Sequence, residues 1–194
     1  MAKAAIILGM ARFFTRRGDD GTTGLLGKGR VAKDHPRIEA AGDLDEASAA
    51  LGLARAAAAS PEARSVLLEV QRDLYRVMSE VSAEPEAAGR LERVDGARVE
   101  WLERRIEELA GRIEALEGFI LPGDTLASAA LDLARTVVRR AERRITGLAR
   151  EGMLQNAALQ AYVNRLSSLC FVLELWEIRQ AGLSHPTLAQ QKKR

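Results

Sequence analysis

Apolar residues recur at intervals of three and four along most of the chain after Pro36, which is the spacing of one face of an α-helix. The pattern predicts five helices, at about residues 37–59, 61–81, 95–116, 124–150 and 154–181. Short connections favour antiparallel packing of successive helices. The predicted fold class is therefore all-α, a five-helix bundle.

The last predicted helix is apolar on more than one side. Tyr162, Leu166 and Trp176 belong to one apolar stripe, and Phe171 and Leu175 lie opposite it. A helix that is apolar most of the way round is buried from several directions. We expect it to lie at the centre of the bundle or at a subunit interface.

Residues 12–36 do not follow the helical pattern. The stretch is rich in Gly and Asp, which blocks a regular helix and favours turns whose backbone N–H groups can face a ligand. No strand hairpin, repeat or linker is indicated. The predicted organisation is an extension over residues 1–11, one bundle domain over 12–183 that starts with this Gly-rich loop, and a flexible tail over 184–194.

Composition narrows the possible partners. The chain is 47% hydrophobic and 29% charged, yet its formal net charge is only +2, so a global attraction to nucleic acid is weak. The single cysteine, Cys170, cannot form an intramolecular disulfide, and the apolar run at residues 4–8 is too short to cross a membrane. These features predict a soluble cytoplasmic protein without a membrane or nucleic-acid partner.

The segment 131–150 carries the densest charge pattern. At 100° per residue, Arg135, Arg139, Glu142 and Arg143 gather on a flank beside the apolar stripe, which we expect to be partly buried, while Arg140 and Arg144 point elsewhere. An exposed helix with ion pairs at four-residue spacing would have this composition. A clamp for polyphosphate would have it too, because guanidinium groups match phosphate oxygens in a fork. The helix alone leaves both interpretations open.

The Gly-rich loop has the same ambiguity. It lacks the Gly-Lys-Ser/Thr sequence of a P-loop and has no preceding strand pattern, so it is a surface turn or a different kind of ligand loop. Its basic neighbours favour a ligand. They are Arg16, Arg17, Arg30 and Lys33.

Five blocks of sequence, in order, resemble the PduO-type ATP:cob(I)alamin adenosyltransferases. Their spacing is compatible with that family from residue 15 to about residue 171. The blocks are TRRGDDGTT at 15–23, RVAK at 30–33 with RIEAAGDLDE at 37–46, FILPG at 119–123, ARTVVRRAER at 134–143 and YVNRLS at 162–167.

The resemblance implies a ferritin-like five-helix bundle that assembles as a homotrimer, with an active site at each subunit interface. ATP and cobalamin would be the substrates, with Mg²⁺ accompanying ATP, and no set of protein metal ligands is implied. The implied ATP-binding residues are Thr15, Arg16, Arg17, Gly18, Thr23, Gly24, Lys33, Arg139, Arg140, Ala141, Glu142, Arg143 and Asn164.

The resemblance also implies a catalytic set. Asp45 and Arg135 would pair across the interface, and Phe119 would face the corrin and help displace its lower axial ligand. Cobalt(I) would attack C5′ of ATP and expel triphosphate, whose charge Arg, Lys and Mg²⁺ would stabilise. The implied partners are a cob(II)alamin reductase and a cobalamin-dependent acceptor enzyme.

Some positions depart from the family pattern. They are Arg16, Ser48, Asp124, Asp132, Ser168 and Leu175. Most of them fall on the corrin side, where Asp124 is expected to cap the fourth helix. Two alternatives therefore stay open: a non-catalytic trimer that binds ATP or a corrinoid as carrier or regulator, and an arginine-rich helix that binds nucleic acid.

Overall fold

The structure, a computed structural model, describes residues 14–114, 116 and 118–190. The predicted extension at residues 1–11 lies outside these residues. In chain order the elements are β1 (Thr22–Gly24), β2 (Arg30–Ala32), α1 (Pro36–Ala57), α2 (Pro61–Val81), α3 (Pro85–Ala88), α4 (Gly96–Ala110), α5 (Leu126–Arg150) and α6 (Ala157–Gln180).

The all-α prediction is confirmed, and the five predicted helices correspond to α1, α2, α4, α5 and α6. The expectation that no hairpin forms is wrong, because β1 and β2 pair antiparallel with Thr23 opposite Val31. Each strand has only three residues, too few for alternation to stand out from a loop. A single turn of helix, α3, also follows Pro85.

Several helix ends differ from the sequence-based bounds; α1 ends at Ala57 and α6 begins at Ala157, for example. Helix α4 ends at Ala110 because Gly111 follows, well before residue 116. Helix α5 begins two residues later than predicted because Thr125, and not Asp124, is its N-cap. The Thr125 hydroxyl accepts the Ser128 backbone N–H at 2.9 Å, and the Ser128 hydroxyl accepts the Thr125 N–H at 2.9 Å.

Helix α5 packs against both α1 and α6, while α2 packs on α1 and α4 packs on α6. The seam between α1 and α5 is rich in alanine, which lets two helix backbones approach closely. Its fully buried members include Ala40, Ala47, Ala54, Ala134 and Ala141. As predicted, α6 is buried on several sides. None of the helices in the described part of the chain is long and apolar enough to cross a membrane.

A buried carboxylate joins three of the helices. Asp73 of α2 is fully buried and accepts the Tyr162 hydroxyl of α6 at 2.7 Å. It also accepts Nε of Arg98 from α4 at 3.0 Å and Nη1 of Arg76 at 2.6 Å. A buried charge is tolerated when it is paired and hydrogen-bonded in this way. Burial and the Asp73 charge raise the pKa of Tyr162 well above its ordinary value.

We expect Tyr162→Phe to lower the free energy of unfolding by about 2 kcal/mol, since it removes a hydrogen bond to a buried charged group. The matched control is Tyr75→Phe, because the Tyr75 side chain is 68% exposed and should change stability little. Urea unfolding at one fixed protein concentration measures both. Equal effects of the two substitutions would show that the Tyr162 hydroxyl adds nothing to the network.

Candidate active site

The N-terminal loop is built around short polar turns that hold its cationic side chains at the surface. The Asp20 carboxylate accepts the Thr22 N–H at 2.9 Å and the Thr22 hydroxyl at 2.8 Å, and these bonds lower the pKa of Asp20. Arg30 closes the loop from the second strand, since its Nη2 donates to the Arg17 carbonyl at 2.6 Å and to the Thr22 hydroxyl at 2.6 Å.

The loop brings Lys33 beside Gly18. A Cβ atom added at Gly18 would lie 3.2 Å from Lys33 Nζ, and the Lys33 N–H donates to the Gly21 carbonyl at 2.9 Å. Arg16 has a φ of 60°, in the left-handed region that residues other than glycine rarely adopt. Arg16, Arg17 and Lys33 are all exposed. The loop therefore presents a cluster of exposed cationic side chains.

A carboxylate anchors the loop to the end of α2. The Lys28 N–H donates to the Glu84 carboxylate at 2.8 Å. The Leu26 N–H donates to the Ser82 carbonyl at 2.8 Å, and the Leu26 carbonyl accepts the Glu84 N–H at 3.0 Å. Gly27 is needed here, because an added Cβ would lie 1.9 Å from a Glu84 carboxylate oxygen. Among the described residues no hydrogen bond or ion pair joins residues 15–33 to α5 or α6.

The arginines of α5 separate into two groups that lie on different sides of the helix. Arg140 and Arg144, expected to point elsewhere, reach across to α1. Arg140 pairs with Glu46 and lies 3.3 Å from Asp43, while Arg144 lies 3.0 Å from Glu39. Helix α1 supplies acidic residues on the side facing α5, and helical periodicity within α5 contains no information about that partner.

Arg139 and Arg143, expected on a partly buried flank, are exposed. Arg143 Nη1 donates to the Arg139 carbonyl at 3.0 Å, and neither guanidinium pairs with a carboxylate among the described residues. Ala141 is fully buried in the core, so its methyl group faces away from this surface. Arg139 and Arg143 are therefore free to bind an anion.

Beside these arginines lies a cleft of about 250 Å³ between α5 and α6. Asn164 Nδ2 donates to Glu142 Oε1 at 2.6 Å across the cleft, and Arg165 donates to Asn164 Oδ1 at 2.7 Å. The structure thus brings together Glu142 and Asn164, which lie 22 residues apart in the sequence and were both assigned to the ATP site.

The loop before α5 exposes apolar side chains. The Phe119 side chain is 87% exposed, and Leu121 and Leu126 are 50% and 74% exposed. Residues 187–189, within the predicted tail, pair with this loop. Leu121 N–H donates to the Thr187 carbonyl and Ala189 N–H to the Phe119 carbonyl, each at 2.8 Å.

The predicted partners Asp45 and Arg135 do not meet within one chain. Asp45 is exposed on α1, and Arg135 binds Asp132 three residues earlier on α5, with Nε 2.8 Å from Oδ1. A pair between two copies of the chain stays a prediction. Asp132 is one of the departures from the family pattern, and in this chain it holds the arginine in place.

Glu174 is a buried acid that the sequence analysis missed. Its side chain is fully buried in α6, and neither carboxylate oxygen has a hydrogen-bond partner among the described residues. The pKa of Glu174 is raised to about 7, first by burial and then by the negative charge of Asp132, while Arg135 opposes the shift. The only signal in the sequence is an acid placed between Leu173 and Leu175 in an apolar helix.

The chain is similar in sequence to known proteins over most of its length. A family model described as cobalamin adenosyltransferase matches residues 13–177. Corrinoid adenosyltransferase PduO of Citrobacter freundii is 41% identical over 161 residues, which cover 82% of this chain and 48% of that protein. The chain thus spans about half the length of the PduO relatives it matches. A corrinoid adenosyltransferase of Mycobacterium tuberculosis is 39% identical over 169 residues, 84% of this chain and 87% of that protein.

A solved structure agrees with these sequences. It is a variant PduO-type ATP:corrinoid adenosyltransferase from Lactobacillus reuteri complexed with cobalamin and ATP, with a TM-score of 0.84 and 28% identity. The match covers 93% of this chain and 100% of that one. Fold and site together define an all-α bundle protein with cationic side chains on its N-terminal loop and on α5. The chain belongs to the cobalamin adenosyltransferase family, which confirms the resemblance.

We expect the stability of the chain to depend on the protonation of Glu174. The folded chain keeps this proton up to a pH of about 7, whereas the unfolded chain loses it near 4.5, the ordinary pKa. The free energy of unfolding should therefore fall as pH rises from about 4.5 to about 7, by ~3 kcal/mol from this group.

Glu174→Gln should remove the pH dependence that Glu174 causes. The free energy of unfolding of the variant, relative to that of the unaltered chain, should therefore rise from pH 4 to pH 8. The control is Glu151→Gln at an exposed site. Urea unfolding across this pH range at constant protein concentration measures the difference. A pH-independent offset for Glu174→Gln would mean that the pKa of Glu174 is the same in the folded and unfolded chains, which would contradict the shift.

Proposed function

We propose that the chain transfers the 5′-deoxyadenosyl group of ATP to the cobalt of cob(I)alamin, giving adenosylcobalamin and triphosphate. The observation that carries the proposal is the pair of exposed guanidinium groups on α5, Arg139 and Arg143, beside the Glu142–Asn164 contact. Exposed arginines without carboxylate partners suit a polyanion, since guanidinium binds phosphate oxygens in a bidentate manner.

The charges around α5 favour phosphate binding at Arg139 and Arg143 over binding at Arg140 and Arg144. Carboxylates of α1 already neutralise Arg140 and Arg144, whereas no carboxylate among the described residues pairs with Arg139 or Arg143. The triphosphate would therefore bind at Arg139 and Arg143, and Arg140 would act mainly by orienting α1 against α5. Thr15, Arg16, Arg17, Gly18, Thr23, Gly24 and Lys33 would enclose the nucleotide from the N-terminal loop.

We further propose that the active site forms between copies in a homotrimer. The support is that the loop and the α5–α6 cleft make no contact through hydrogen bonds or ion pairs in the described part of one chain, although both carry ATP-site residues. Exposed Leu126 and Leu133 on α5 also suit an interface. Asp45 of one copy would then reach Arg135 of its neighbour.

The chemistry needs no nucleophile from the protein. An electron pair of cobalt(I) attacks C5′ of ATP, the C5′–O bond breaks, and triphosphate leaves with the bonding pair. Arg139, Arg143 and Lys33 would stabilise the charge that builds on the leaving group. Mg²⁺ would bind the phosphate oxygens and water.

Phe119 would act on the corrin. A water-exposed phenyl ring gains free energy by burial against an apolar surface, and the lower face of a corrin offers one. Filling the space of the lower axial ligand would make cobalt easier to reduce. A cob(II)alamin reductase would supply the electron and a cobalamin-dependent enzyme would accept the product, and we place these steps in the cytoplasm, where ATP is available.

The direct test mixes the protein with ATP, Mg²⁺ and chemically reduced cobalamin and follows the visible spectrum. We expect conversion to adenosylcobalamin with release of one triphosphate per corrinoid. ATP binding by calorimetry without any conversion would contradict the enzyme and support a non-catalytic binding protein. Sedimentation analysis of the same sample tests the homotrimer.

Two substitutions test the assigned residues. Arg143→Ala should lower kcat/KM for ATP about a hundredfold, because it removes a charge from the leaving group. The matched control is Arg104→Ala, which should leave turnover unchanged, because Arg104 is exposed on α4 and pairs among the described residues with Glu100 alone.

Phe119→Ala should lower kcat with little change in the Kd for ATP. Leu53→Ala controls for loss of an exposed apolar side chain on another face. Turnover equal to that of the unaltered chain would remove Phe119 from the mechanism.

A further inference from the structure

The loop that carries Phe119 has little packing of its own to fix it. Gly118 and Gly123 flank the loop with φ values of 116° and 126°, and the Phe119 and Leu121 side chains are exposed. The loop is instead held by pairing with the segment after α6. Ile120 lies opposite Leu188 in an antiparallel bridge, between the two backbone bonds from Leu121 and Ala189.

That segment is itself supported mainly at its ends. Near α6 it is tied by the Leu183 N–H, which donates to the Ile178 carbonyl at 3.3 Å. The first part of the segment, residues 183–186, lines a cavity of about 270 Å³ together with Ile113 and Ile178. Because this part borders a cavity, core packing alone does not determine where residues 187–189 lie.

A contact between the side chain of Asp124 and Thr187 fixes the end of the segment that lies farther from α6. Asp124 Oδ2 accepts the Thr187 N–H at 2.9 Å, and its Oδ1 accepts the Thr187 hydroxyl at 2.6 Å. Asp124 directly precedes Thr125, which caps α5, so the carboxylate is attached to a rigid helix end. A charged acceptor strengthens both bonds relative to neutral ones.

We propose that Asp124 and Thr187 are positioning residues that hold the segment 187–189 against the Phe119 loop and thereby set the corrinoid affinity of the site. The inference rests on the proposed function, in which Phe119 faces the corrin. Asp124 thus acts here as the acceptor that fastens the C-terminal segment, although the sequence pattern had suggested a helix cap.

The first measurement does not depend on activity. Amide hydrogen exchange of Leu121 and Ala189 reports the pairing directly, because both N–H groups donate across it. We expect Asp124→Ala to speed exchange at both amides at least about fivefold, since an opened segment exposes them. Thr187→Val, which keeps the backbone donor, should have a smaller effect, and Thr187→Ser should restore slow exchange.

The second measurement is the Kd for cob(II)alamin by calorimetry in the presence of ATP. Asp124→Ala and Thr187→Val should weaken it several-fold while the Kd for ATP stays constant, and Thr187→Ser should match the unaltered chain. Ser184→Ala is the control, an exposed position in the same segment whose side chain makes no hydrogen bond among the described residues. Thermal unfolding verifies that each variant folds.

The outcomes separate the two proposals. Unchanged amide exchange in Asp124→Ala would show that the Asp124–Thr187 contact does not hold the segment 187–189. Faster exchange with unchanged cob(II)alamin affinity would show that holding the segment does not set the corrinoid affinity. If the chain transfers no adenosyl group but its affinity for cobalamin depends on Asp124, the positioning role of the Asp124–Thr187 contact is supported and the proposed activity is contradicted.

Discussion

The alanine-rich packing of α5 between α1 and α6 is the constraint on which the candidate site depends. Ala134 and Ala141 have no exposed surface, so one side of α5 is buried in the core of the bundle. Small side chains allow a close approach, and the carboxylates of α1 then reach Arg140 and Arg144. Arg139 and Arg143 remain on the outer side, beside the cleft to α6.

Three buried acids show how partners decide what a carboxylate does in this bundle. Asp73 binds donors from α2, α4 and α6 and acts as a structural centre. Glu177 accepts the backbone N–H groups of Ala59 and Ser60 and fixes the turn before α2. Glu174 has no partner among the described residues, and burial raises its pKa to about 7. All three residues carry a carboxyl group, so their different roles follow from the hydrogen-bond donors that surround each one.

Much of the candidate site could be predicted from local sequence. The blocks at residues 15–23, 134–143 and 162–167 locate the loop, the arginine helix and Asn164, because each block lies within one element. Contacts between elements could not be predicted. The Arg140–Glu46 and Thr187–Asp124 contacts join residues 94 and 63 positions apart, and neither has a periodic signal in the chain.

The sequence by itself determined the helices and their apolar faces, since periodicity and caps act over a few residues. It also determined the family, through motifs that each occupy one short stretch. Only the tertiary structure decided which arginines of α5 pair with carboxylates in the described part of the chain and which do not, because that depends on the acids of a facing helix. Likewise, Asp124 reads as a helix cap in the sequence, and the return of the chain after α6 makes it the acceptor for Thr187.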